Sequence, residues 1–136
     1  MMPFENHNVR RFMAVILAGY ALMGWAYLSM ILRGDNPVTE NLFGPAVYAI
    51  PGWCWASYQG SAGTLAAVGA VIGARRGAWM TAIGSLGLVA QFTAFSALAT
   101  EAADGTIIVI GSAFISLPGA LACAHFAIMR VRHGGA

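Results

Sequence analysis

The sequence contains no lysine and little charge of any kind: 9% of its residues are charged, against about 25% in a typical soluble domain. The charges it has are not spread out. Residues 12–32, 41–74, 77–100 and 105–129 contain no Asp, Glu, Lys or Arg. Ionisable groups inside apolar spans mark proton relays and ion paths, so their absence argues against an ion-coupled transporter. No paired carboxylates, nucleophile beside a base or His/Cys metal spacing occurs either. The chain is therefore expected to be no enzyme, with no catalytic, cofactor-binding or metal site. The two cysteines, Cys54 and Cys123, fall toward opposite ends of their runs, which excludes a disulfide on reach alone. His125 is the only histidine within a run, and no acid or second histidine accompanies it, so it is read as inert.

What is present is apolar length. Hydrophobic residues make up 59% of the 136. A helix crossing the roughly 30 Å hydrocarbon core of a bilayer needs about 20 apolar residues. The sequence predicts an all-α integral membrane protein, residues 1–136 forming one domain of four transmembrane helices. The spans fall at about 12–32, 52–74, 78–100 and 106–129. Short connections predict an up-down-up-down bundle, with ARRG at 74–77 as one tight turn and TEAADG at 100–105 as another. All seven basic residues are arginine, and six of them (Arg10, Arg11, Arg75, Arg76, Arg130, Arg132) fall on one side of this arrangement. Arg33 is the exception. The positive-inside rule makes that side cytoplasmic, with both termini inside. The expected location is a bacterial inner membrane, and the expected partners are lipid, other membrane subunits or copies of the chain. No basic patch suited to nucleic acid occurs apart from these span-flanking arginines.

Small residues draw lines along the spans. Ala56, Gly60, Gly63, Ala67, Ala70 and Ala74 recur at steps of four and three in the second span, with Gly69 and Gly73 beside them. Gly77, Gly84, Gly87 and Ala94 do the same in the third, with Gln91 in that row. In lipid, helices associate through close packing, and such lines let backbones approach. Gln59 and Gln91 lie at similar depths, so they are expected to face the bundle and bond each other or hydroxyls such as Ser57 or Thr93. Pro118 removes a backbone bond in the fourth span and predicts a kink. The stretch PGWCWASYQGSAG at 51–63 opens the second span. Pro51 suits a helix start, and Phe43, Tyr48, Trp53, Trp55 and Tyr58 are read as interface aromatics at the outer headgroup level.

The stretch QFTAFSALATE at 91–101 resembles the third-helix motif of the small four-helix fluoride channels. That family's polar first helix and second-helix asparagine are missing, and its dual insertion opposes the arginine bias here. The membrane glutamate of small multidrug transporters is also missing. Phage holins are similar in size and in glycine- and alanine-rich spans, without a shared motif. No family is assigned. The composition favours a small non-enzymatic membrane protein of bacterial or phage origin acting by helix packing, as an accessory or assembly subunit or a homo-oligomer. A holin-like pore former is the alternative, and a channel or carrier through Gln59 and Gln91 a further one.

Overall fold

Alanine, leucine and methionine favour helix, and glycines placed between them leave room for neighbours rather than breaking the run. Four α-helices result in the computed structural model, which describes residues 2–34, 51–99 and 106–133, the stretches 95–99 and 106–115 by backbone alone. They are α1 (His7–Leu32), α2 (Gly52–Ile72), α3 (Ala74–Ala99) and α4 (Thr106–His133), preceded by one 3-10 turn at Pro3–Glu5. No strand occurs among the described residues. At 1.5 Å per residue the shortest, of 21 residues, is about 32 Å long.

Among the described residues one helix, His7–Leu32, is long and apolar enough by length and composition to cross a membrane, with a mean hydropathy of 1.8 over its most apolar stretch. The sequence led us to expect four. In α2 the serines, Tyr58 and Gln59 lower the mean, although its charge-free stretch is as long as expected.

Two boundaries differ from the sequence reading. The polar lead ends early because the Asn6 side chain accepts from the Asn8 and Val9 backbone N–H groups at 2.9 and 3.4 Å. This cap starts α1 at His7, so Arg10 and Arg11 lie inside the helix. Residues 74–77 do not form a turn. The chain reverses at Gly73 alone, which takes φ +66, a conformation that glycine reaches without a Cβ penalty. Ala74 follows at φ +50 and opens α3, a left-handed position that costs a non-glycine residue about 1 kcal/mol. Arg75 and Arg76, good helix formers, then occupy the first turn of α3.

Consecutive helices run antiparallel. Gly24 lies against Gly60 and Ala21 against Gly63 between α1 and α2; Gly69 meets Gly77 and Thr81, and Ala62 meets Gly84, between α2 and α3. α4 closes back on α1, where Tyr20 bonds Ser116 and Glu5 pairs with Arg130. One end of the bundle therefore gathers the start of α1, the α2–α3 reversal and the end of α4, with six of the seven arginines. The core is built of small or polar side chains. Ala66, Ala70, Ala78, Thr81 and Ser85 are buried, and the few large buried side chains include Phe4, Leu17 and Leu88. Large apolar residues face outward instead: Leu22, Leu32, Val71, Trp79 and Ile83 are all more than half exposed, Leu32 reaching 75%.

Candidate functional site

Midway along the bundle a row of hydrogen bonds joins all four helices. Gln91 of α3 donates from Nε2 to Gln59 Oε1 of α2 at 3.1 Å. Gln59 donates from its own Nε2 to the Tyr20 carbonyl of α1 at 3.1 Å. The Tyr20 hydroxyl donates to the Ser116 carbonyl of α4 at 2.9 Å, and its ring meets Phe92 edge-on with centroids 5.4 Å apart. Gln59 and Gln91 are 6% and 3% exposed, so water does not compete for these bonds.

The amide orientations follow from the end of the row. A backbone carbonyl only accepts, so Tyr20 O requires Nε2 of Gln59. That turns Gln59 Oε1 toward Gln91, which must answer with Nε2. Gln91 Oε1 is left over, buried without a partner, as is Ser85 Oγ. A buried polar atom left unpaired costs about 1–3 kcal/mol. The sequence expectation named Ser57 and Thr93 as alternative partners. Ser57 instead returns its hydroxyl to the Trp53 carbonyl one turn earlier at 2.7 Å, and Thr93 is exposed.

Around the row the helices touch through backbone. A Cβ built at Gly84 would fall against the Ala62 carbonyl oxygen and within 2.7 Å of the Ala66 amide nitrogen. At Gly63 it would meet the Ala21 backbone at 2.7 Å. Gly60 lies under the Trp25 indole, whose Nε1 donates to Thr64 Oγ1 at 3.0 Å. Gly87 carries the Tyr58 hydroxyl, which donates to the Gly87 carbonyl at 3.0 Å. The small residues of both lines thus face inward over most of their length. Ala74, expected at the end of the α2 line, is exposed at the start of α3.

The remaining candidates scatter. Trp53 is 55% exposed and Tyr58 is 45% exposed, while Trp55 is half-buried. Phe43 and Tyr48 lie outside the described residues, as does the 100–105 connection. Pro118 sits on the exposed side of α4, and the helix runs on through it from Thr106 to His133. Its neighbour Gly119 provides the space in which the Tyr20 hydroxyl reaches Ser116. His125 is exposed, and its ring lies 5.9 Å from that of Phe126 between centroids. Cys54 and Cys123 are free thiols. Among the described residues no three His, Cys, Asp or Glu side chains gather as a metal site would require.

Tyr20 is the residue that sequence reasoning passed over. It stands far from both ends of a 26-residue helix, away from the levels where aromatic rings collect at interfaces, and a buried tyrosine hydroxyl needs a partner. That position is the signal that would have found it.

The chain matches no known protein family, no curated protein and no solved structure.

Proposed function

We propose that the chain is a four-span membrane protein that works by packing, as a non-enzymatic accessory or assembly subunit in a bacterial inner membrane with both termini cytoplasmic. The observation that carries this reading is the inverted distribution of side chains. Alanine, glycine, threonine, serine and glutamine make up much of the interior, while leucine, isoleucine, valine and tryptophan face out along α1, α2 and α3. Soluble monomers rarely expose contiguous apolar patches of more than a few hundred Å². In lipid such a surface is satisfied, and small residues inside give the close contact that association needs there.

Two further observations support it. The apolar stretch of α1 is only 17% buried, unlike the core helix of a soluble protein. That helix also supplies Gly24, Ala21 and Tyr20 to the interior, which a cleaved signal segment would not. The gathering of six arginines at one bundle end fits the positive-inside rule.

The small-residue lines are used within one copy, which favours a subunit that presents a finished apolar exterior over one that polymerises through those lines. Amides spent on each other and on Tyr20 serve as a fastening and do not line a solute path. The test has three arms in cells producing the full chain: extraction of membranes at alkaline pH, reporters fused to either terminus, and growth after induction. We expect resistance to extraction, cytoplasmic reporters and unimpaired growth. A chain released into the soluble fraction, or a periplasmic carboxyl terminus, overturns the membrane topology. Growth arrest with membrane leakage overturns the subunit reading in favour of a holin-like lesion former.

A further inference from the structure

We infer that the arginine end of the bundle holds the phosphate of an anionic phospholipid, between Arg10 of α1 and Arg75 and Arg76 at the start of α3. The inference rests on the membrane reading above and adds a specific lipid class and position to it.

The seat is built around Gly73. The Arg10 guanidinium lies directly over this residue, and a Cβ there would overlap Arg10 Nη1. Glycine suits this position through the positive φ of the reversal, and its missing Cβ leaves the space in which the guanidinium lies. Arg10 Nε is shut off from solvent and finds no hydrogen-bond partner. Arg75 and Arg76 follow two and three residues beyond Gly73, and both are exposed. Three arginines are thereby gathered at one chain reversal. The first amides of α3 lie in the same place and lack intrahelical acceptors.

Among the described residues no acidic side chain is left to answer this charge. Glu5 is the only acidic residue at this end by sequence. It is engaged with Arg130 at 3.5 Å, between the 3-10 turn and α4. Like charges held near one another disfavour the fold unless an anion comes between them, and guanidinium groups pair with phosphate oxygens through paired N–H donors.

The surroundings select a lipid. Val71 and Ile72, just before the reversal, are 74% and 53% exposed, and Trp79 is 51% exposed. Trp79 is four residues after Arg75 and three after Arg76, so it shares their face of α3. Apolar side chains at this position give acyl chains a wall to lie on, and an exposed tryptophan suits the headgroup level. Basic pockets between helices on the cytoplasmic side are where anionic headgroups bind.

The experiment measures thermal unfolding of the purified chain in a neutral detergent, with phosphatidylglycerol, phosphatidylcholine or inorganic phosphate added. Phosphatidylglycerol should raise the midpoint by about 5 °C, the scale on which ligand linkage shifts a domain of this size, and phosphatidylcholine should not. The shift should fall to less than half in R75Q/R76Q and in R10Q, and persist in R132Q, at the end of α4. If R10Q fails to fold, the exposed pair Arg75 and Arg76 carries the comparison. An equal shift in R75Q/R76Q, or an equal response to phosphatidylcholine, overturns the site. An equal response to inorganic phosphate shows a soluble anion and overturns the lipid assignment. A chain that resists alkaline extraction yet ignores headgroup charge refutes this site alone, whereas one that extracts refutes the membrane reading first.

Discussion

Between α2 and its two neighbours glycine backbones meet backbone, whereas the described part of α4 sets small side chains against large ones on the other elements. On the α2 side, Gly24 faces Gly60, Gly63 faces Ala21, and Gly84 faces Ala62 and Ala66. On the α4 side, Ala120, Cys123 and Ala127 share a buried cluster with Phe4, Leu17, Leu88 and Phe92, and Gly119 serves the Tyr20 hydroxyl. The two arrangements are vulnerable in opposite ways. A seam of touching backbones has no atoms to spare and fails when atoms are added. A face filled by large side chains fails when atoms are removed.

The widest test of that contrast is a matched pair of substitutions. Gly84→Leu should destabilise the fold in detergent by about 3 kcal/mol or more, since the added side chain meets backbone that cannot turn aside. Phe92→Ala should cost about 3 kcal/mol by leaving a void beside Tyr20. Both are read as loss of the midpoint in thermal or denaturant unfolding. If Gly84→Leu is neutral, the helices do not approach as closely as described.

Within the polar row the effect should be smaller and graded. Gln59 makes two interhelical bonds and Gln91 one. Such bonds contribute about 0.6–2 kcal/mol each in membrane proteins. Gln59→Leu should therefore lower stability more than Gln91→Leu, which also removes the unpaired Oε1. A double-mutant cycle measures the coupling between them, and a coupling of zero would mean the amides do not bond. The smallest effect is expected outside the bundle. Gly19 on α1 has nothing within 4 Å of a built Cβ, so Gly19→Ala should be neutral or stabilising by up to about 1 kcal/mol through helix propensity. A clear loss of stability there would reveal a partner or a second copy on that face.

The positions of the helices were legible because charge-free runs separated by arginines and turn residues mark them directly. The spacing of Gly60, Gly63 and Gly84 marked a packing line without telling whether it faces the bundle or another copy, and similar depth along antiparallel neighbours made Gln59 and Gln91 one of the pairings expected. The reversal was misread for a physical reason. Arg75 and Arg76 looked like a loop because they are charged, yet arginine is a good helix former, and the geometry of the turn is supplied by Gly73. Tyr20 was missed because its partners, the Gln59 amide and the Ser116 carbonyl, lie 39 and 96 residues away. No local pattern encodes a backbone acceptor on another helix. The apolar exterior was implied by composition, but which large residues would face out was not. The hydrophobic residues surround each helix too evenly for one face to stand apart.

The reversal at Gly73 also bears on biogenesis. One residue gives no slack between α2 and α3, so the two span side by side. In the proposed topology their turn never crosses the bilayer: α2 brings the chain in, α3 carries it out again, and the paired arginines act as the brake that keeps the turn on the ribosome's side.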